Sequence, residues 1–140
     1  MISGTEGEKV ALGTALLQPT RIYVRPVLDM LRGGGIDGLA HITGGGLTEN
    51  VIRILSKDLG IEIDTGSWPR AEVFDWLQDR GGISEAEMLR TFNCGIGMVM
   101  VVPRQDSERL IAESERLGVH CYEIGRVISA DGDSRTRFVT

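Results

Sequence analysis

Apolar and polar positions change their period several times along the chain, and each change marks an element. Ile36 to Ile42, with Asp37 and Gly38 inside it, is a short apolar run that predicts a strand. After it Leu47, Val51, Ile54 or Leu55, and Leu59 recur at helical spacing, so Gly44-Gly45-Gly46 falls in a strand-to-helix turn. Ile61-Glu62-Ile63-Asp64 alternates like a half-buried strand. Met98-Val99-Met100-Val101-Val102 is apolar at every position, which fits a central strand covered on both faces, and Pro103 stops it. Val119 to Ile128 predicts a further strand. Asp131-Gly132-Asp133-Ser134 is turn chemistry, and Arg137-Phe138-Val139 is expected to pair back as a hairpin.

Helical spacing fills the intervals. Pro19-Thr20-Arg21-Ile22-Tyr23 introduces a helix with an apolar face of Val24, Val27, Leu28 and Leu31. Pro26 costs about 3 kcal/mol deep inside a helix, so this helix starts within a few residues of it. Gly33-Gly34-Gly35 reads as its C-terminal cap. Ser67-Trp68-Pro69 starts another, with Val73, Trp76 and Leu77 on one face and Gly81-Gly82 as its end. Both tryptophans read as packing residues. Ser84-Glu85-Ala86-Glu87 has the pattern of a capping box ahead of Met88, Leu89 and Phe92. Asp106 and Ser107 are placed to cap a helix carrying Leu110, Ile111, Ser114 and Leu117, ended by Gly118. Helices alternating with strands predict one α+β domain with a mixed sheet and helices packed on it. Residues 1–10 read as a lead-in or linker, and the domain as 11–140.

Composition narrows the function. The 140 residues suffice for one domain with a sizeable core, and no window approaches a membrane span. A net charge of −5 disfavours nonspecific nucleic-acid binding, which depends on neutralising phosphates. Cys94 and Cys121 lack metal-type spacing, and reduced thiols in a cytosolic protein are the default. No His/Cys/Asp/Glu cluster has ligand spacing, so no metal site is expected. Asp131 and Asp133 suit a cation contact or, more simply, a hairpin turn. Cys94 suits a reactive thiol or, lacking a basic neighbour, a packed one.

The chemistry concentrates at the first glycine turn. Residues without Cβ let the chain turn sharply and bring bare N–H groups close to a ligand. A helix start adds unpaired donors and a positive dipole end, an arrangement used for phosphate. A tight turn alone explains the triplet equally well, since the Lys-Ser/Thr of a P-loop is missing. Its polar neighbours tip the reading toward a site: His41 and Thr43 on the strand side, Glu49 and Asn50 in the helix's first turn. His41 reads as a structural or a catalytic histidine. His120 reads as a surface residue. Phe92-Asn93-Cys94-Gly95-Ile96-Gly97 forms a second glycine-containing turn ahead of the apolar strand.

His41-Ile42-Thr43-Gly44-Gly45-Gly46, with Pro19-Thr20-Arg21-Ile22-Tyr23-Val24 before it and Phe92-Asn93-Cys94-Gly95-Ile96-Gly97-Met98 after it, resembles the aminoimidazole ribonucleotide synthetases. These are the phosphoribosylformylglycinamidine cyclo-ligases of purine biosynthesis. Glu72 to Leu77 and Met88 to Thr91 match as well. The resemblance runs from about residue 11 onward and covers only the C-terminal half of such enzymes.

The resemblance implies a three-layer α/β/α domain with a mixed sheet, partly ferredoxin-like in topology. It implies a reaction in which ATP phosphorylates the formyl amide oxygen of formylglycinamidine ribonucleotide. A substrate nitrogen then closes the imidazole, and ADP and phosphate leave. Mg2+ and ATP would be held mainly by a separate N-terminal half, which also forms the homodimer; nothing in this chain corresponds to it, so the domain alone is expected to be inactive. His41 would donate a hydrogen bond or proton near the reacting amide. Gly44, Gly45 and Gly46 would cradle a phosphate, while Thr43, Glu49 and Asn50 orient substrate polar groups. Arg21 would meet a phosphate or form a structural salt bridge. Asn93 and Gly95 would bring a second turn to the cleft or pack beneath the first. No nucleic-acid or membrane partner is implied, and the setting is cytoplasmic. Formylglycinamidine synthetase, thiamine-monophosphate kinase and selenophosphate synthetase share the two-half plan and are the nearest alternatives. A non-catalytic phosphate-binding module is the alternative from another class.

Overall fold

The structure, a computed structural model, describes residues 2–3, 9–130 and 135–140. Asp131 to Ser134, read above as turn chemistry, lie outside the described residues. In chain order the elements are β1 (Ile2–Ser3), β2 (Lys9–Val10), α1 (Leu12–Leu16), α2 (Val24–Arg32), β3 (Gly38–His41) and α3 (Gly46–Asn50). Then follow β4 (Leu59–Asp64), α4 (Glu72–Gly81), α5 (Glu85–Thr91), β5 (Met98–Val101), α6 (Ser107–Arg116), β6 (Gly125–Ser129) and β7 (Thr136–Val139). The class is α+β.

Strands β3 and β5 pair antiparallel, with His41 opposite Met98. In a second sheet β4 lies between β6, antiparallel, and β7, parallel, so that sheet is mixed. Both sheets turn one face to a shared core. Ala40 and Val99 come from β3 and β5, Ile61 and Ile63 from β4, and Leu47, Met88 and Leu89 from α3 and α5. Alternation along β4 places Ile61 and Ile63 inside and leaves Glu62 on the other face. Ile2 is also buried, so the span read as a lead-in contributes a packing residue.

Several expectations hold. Pro26 sits in the first turn of α2, where its missing N–H costs nothing. Gly34 and Gly35 beyond the helix adopt positive φ. The Ser84 hydroxyl accepts from the Glu87 N–H, whereas the Glu87 carboxylate turns to Arg90 and Thr91, leaving the box half-made.

Others are corrected. β7 does not form a hairpin with β6; both flank β4. Two glycines permit that close approach: a Cβ on Gly60 would stand 2.6 Å from the Arg135 carbonyl oxygen, and one on Gly125 2.0 Å from that of Glu62. Arg126 on β6 and Arg137 on β7 then both pair with Glu62 on β4, cross-strand contacts that a hairpin would forgo. β5 is not a central strand, because among the described residues only β3 pairs with it. Met98 and Met100 border a cleft of about 610 Å3 between β5, α2, α6 and the segment 119–127. The predicted strand from Val119 is paired only from Gly125 onward. The helix after the glycine turn is five residues long and tightens into a 3-10 turn over Val51–Ile54. Val51, Ile52 and Ile54 are β-branched and hold a longer helix poorly, and Leu59 joins β4 instead. α2 turns Met30 inward, leaving Val24, Leu28 and Leu31 at 61%, 50% and 40% exposure. Pro69 precedes α4 rather than opening it, because Trp68 is drawn into the core. Asp106 and Ser107 make no cap: Asp106 pairs with Arg109, and Ser107 donates to Glu123.

Candidate functional site

The first glycine turn is built from its own helix. Gly45 and Gly46 take positive φ, 100° and 54°, which side chains rarely adopt. Gly46 is fixed twice over, since a Cβ there would stand 2.1 Å from the Leu89 carbonyl oxygen and 2.8 Å from that of Phe92. Asn50, buried one helical turn on, donates its side-chain amide to the carbonyls of Thr43, Gly44 and Gly46 at 3.3, 3.3 and 2.8 Å. Its carbonyl oxygen accepts from Arg53, which also pairs with Glu49. Asn50 therefore spends its polar atoms on the turn, and Arg53 occupies one face of Glu49.

Holding the carbonyls inward frees the opposite side. The N–H of Gly46 donates to Thr43, but those of Gly44 and Gly45 make no backbone hydrogen bond among the described residues. Gly44 stands in open space, with nothing within 4 Å of a Cβ built there. Thr43 and His41 are exposed beside it. The turn thus offers two N–H groups without a backbone partner, open at Gly44, while at Gly45 the Glu49 carboxylate stands 3.0 Å from where a Cβ would be. A helix of five residues adds little dipole, so any affinity rests on the turn's own N–H groups.

The second turn is closed differently. The Asn93 side chain accepts from the Gly95 N–H at 3.0 Å, an Asx turn, and Cys94 takes a positive φ of 48°. The indole N–H of Trp68 donates to the Cys94 carbonyl at 2.9 Å, and the Cys94 thiol reaches the Met88 carbonyl. Burial pushes that thiol up to about 11, which removes it as a nucleophile at neutral pH. Gly95 thus packs against Trp68 and lies on the wall of the cleft, while the Asn93 side chain is spent on the turn.

Between the turns stand two aromatic rings. Tyr23, at the start of α2, meets His41 edge-on at a centroid distance of 6.1 Å and an interplanar angle of 65°. Burial raises the Tyr23 hydroxyl above its ordinary range, an effect opposed by Arg21. Arg21 is exposed and lines the cleft beside Tyr23. The structure therefore brings His41, Thr43 and the glycines together, and places Arg21 and Gly95 around the cleft mouth. Tyr23, Gly97 and Arg53 are missed by motif reading, whereas Trp68 is buried in the core as a packing residue. The first two lie inside the blocks that carry the resemblance, and Arg53 falls four residues after Glu49, a spacing that pairs charges on a helix. Among the described residues no group of three His, Cys, Asp or Glu side chains is placed to hold a metal ion. No described helix is long and apolar enough to cross a membrane.

A family model described as AIR synthase related protein, C-terminal domain, matches residues 1–137. A phosphoribosylformylglycinamidine cyclo-ligase of Nitrosococcus oceani is 51% identical over 124 residues, 89% of this chain and 35% of that protein. The protein of the same name from Shouchella clausii is 49% identical over 121 residues, 86% of this chain and 35% of its own length. The chain thus spans about a third of the length of the curated relatives it matches. Among solved structures, E. coli HypE, a hydrogenase maturation protein, superposes with a TM-score of 0.68 at 22% identity, over 84% of this chain and 36% of HypE. The tt0281 protein of Thermus thermophilus gives 0.54 at 20% identity, over 75% of this chain and 32% of that protein. At these identities the likeness is one of fold.

Proposed function

The chain belongs to the AIR synthase related proteins as their C-terminal domain, and on that premise we propose that it is the C-terminal part of a purine-biosynthesis cyclo-ligase. The whole protein would use ATP to cyclise formylglycinamidine ribonucleotide to aminoimidazole ribonucleotide, with release of ADP and phosphate. The observation that carries this reading is the pair of N–H groups at Gly44 and Gly45 without a backbone partner among the described residues, with exposed His41 and Thr43 beside them, in a chain about half identical to proteins of that name.

In this reading Gly44 and Gly45 hold a phosphate monoester, the ribonucleotide's or the nucleotide's. His41 donates a hydrogen bond or proton where charge develops on the formyl amide oxygen, and Thr43 orients the substrate. Asn50 and Gly46 hold the turn in shape, with Glu49 and Arg53 at its rim. Arg21, Asn93 and Gly95 border the same region from the cleft side. The work asked of these groups is positioning and charge stabilisation. Mg-ATP would be held mainly by the N-terminal half of the longer protein, as the resemblance implies, and no step is assigned to the metal here. That half would also form the homodimer and complete the site, leaving this chain inactive alone. Joined to it in the cytoplasm, the domain would take up the three-layer, partly ferredoxin-like arrangement, with α2 and α6 on one side of the strands and α3 and α5 on the other.

The test joins this chain to the N-terminal part of the Nitrosococcus oceani relative in place of that protein's own C-terminal third. ADP release should then depend on formylglycinamidine ribonucleotide. His41→Ala should lower turnover on the order of a hundredfold, the usual worth of a positioned acid or base, with an unchanged melting temperature. ATP turnover indifferent to the ribonucleotide would contradict the reading, and a large fall in melting temperature would make His41 structural.

A further inference from the structure

Three blocks far apart in sequence meet at one ring. Tyr23 opens α2, where its carbonyl accepts the first helical bond from Val27 at 3.0 Å. Its ring lies edge-on to His41. Its far end rests on Gly97, the last residue before β5, and a Cβ on Gly97 would stand 2.1 Å from the Tyr23 hydroxyl oxygen and 2.9 Å from the ring carbon bearing it. The three nearest atoms to that Cβ position all belong to Tyr23, and Gly97 is not in the left-handed region. Backbone conformation does not demand glycine there; the tyrosine does.

His41 needs such a neighbour. It is the last residue of β3, its side chain is exposed and makes no hydrogen bond or ion pair among the described residues, and its ring lies edge-on to Tyr23. Its backbone is held, since it sits opposite Met98 and the next N–H, that of Ile42, donates to the Gly97 carbonyl at 2.9 Å. Strand pairing thus fixes where the imidazole begins, while the Tyr23 ring stands beside its exposed side chain. Gly97 does two jobs at once: its carbonyl extends the ladder beside His41, and its bare Cα seats the tyrosine.

We propose that Tyr23, seated on Gly97, is a positioning residue that sets the direction of the His41 imidazole toward the glycine turn. The inference rests on the role given to His41 above, although its first readout requires no substrate. Gly97→Ala is a selective lever, because the atoms nearest the added methyl are the end of a side chain that can swing away.

The experiment follows the His41 ring protons by NMR in this chain with Tyr23→Leu, Tyr23→Phe, Gly97→Ala and the Tyr23→Leu/Gly97→Ala pair. Tyr23→Leu and Gly97→Ala should each move those protons toward their positions in a free histidine, by loss of the ring current. Tyr23→Phe should leave them in place, and the double variant should move them no further than Tyr23→Leu does. In the joined protein described above, Tyr23→Leu should lower kcat on the order of tenfold with KM little changed, and Tyr23→Phe should restore it. His41 protons unmoved in Tyr23→Leu or in Gly97→Ala would overturn the proposal, as would a Phe variant that behaves like Leu. If the ring protons respond as expected but the joined protein shows no ribonucleotide-dependent turnover, the positioning stands and the cyclo-ligase reading fails.

Discussion

The two glycine turns differ in what closes them. Thr43 to Gly46 is held by its own continuation: Asn50, one turn along α3, gathers the carbonyls of Thr43, Gly44 and Gly46 to one side. Asn93 to Gly97 is held by distant residues, with Trp68 on the Cys94 carbonyl and Tyr23 on Gly97. The first turn consequently keeps an open face with unpaired N–H groups, while the second has its surfaces covered by aromatic rings. In the first turn a side-chain amide takes the carbonyls and leaves Gly44 open; in the second, side chains from elsewhere in the chain stand against the backbone.

The largest effect should come from Gly46→Ala. The positive φ and the close approach to the Leu89 and Phe92 carbonyls together forbid a methyl group. A loss of about 3 kcal/mol or more is expected by urea unfolding, enough to unfold a marginal domain. Asn50→Ala and Trp68→Phe come next and set the turns against each other. Each strands buried or part-buried carbonyls at about 1–3 kcal/mol. Asn50→Ala should also weaken ligand binding, whereas Trp68→Phe should lower the unfolding midpoint and spare it. Equal binding loss in both would erase the distinction drawn between the turns.

Smaller still is a pH effect on β4, at Glu62. Hydrogen bonding from Arg137, then the charge of Arg126, holds the Glu62 carboxyl below its ordinary range. A depressed carboxylate stabilises the fold fully above its unfolded value, roughly 4.3, and that contribution is lost as pH falls through the folded value. Both arginines are exposed, so the contribution is modest. Unfolding midpoints measured from pH 6 down to pH 3 should fall less steeply in Glu62→Gln than in the native chain. Gly44→Ala should have the least effect on stability, within about 0.5 kcal/mol, because nothing stands where its methyl would go.

Periodicity located most of the elements. Alternation found β4, helical spacing with Pro26 found α2, and Ser84 marked the start of α5. What it missed was decided by partners remote in sequence. The pairing of β7 with β4 depends on Gly60, Gly125 and the shared Glu62, none of which signals its partner locally. An apolar run such as Met98 to Val102 reports burial without saying whether strands or helices supply it. The inward face of α2 was misjudged because Val24, Leu28 and Leu31 are as apolar as Met30, and the choice lies with α6 across the cleft. At the site, the glycines and His41 stood out by type and spacing. Asn50 was found but given a ligand's role, since a side-chain amide looks the same whether it faces a ligand or its own loop. Tyr23 and Gly97 escaped notice because a ring on a glycine is a contact between segments some seventy residues apart.

The open face at Gly44 is the centre of the account, and one calorimetric pair tests it. Formylglycinamidine ribonucleotide and Mg-ATP are titrated separately into the joined protein and into its Gly44→Val variant. The account predicts an unchanged unfolding midpoint and, for one of the two ligands, binding weaker by on the order of a hundredfold, a loss of about 2.7 kcal/mol. That ligand is the one whose phosphate the turn holds. Native affinity of the variant for both ligands would contradict it and leave the glycine triplet as a tight turn.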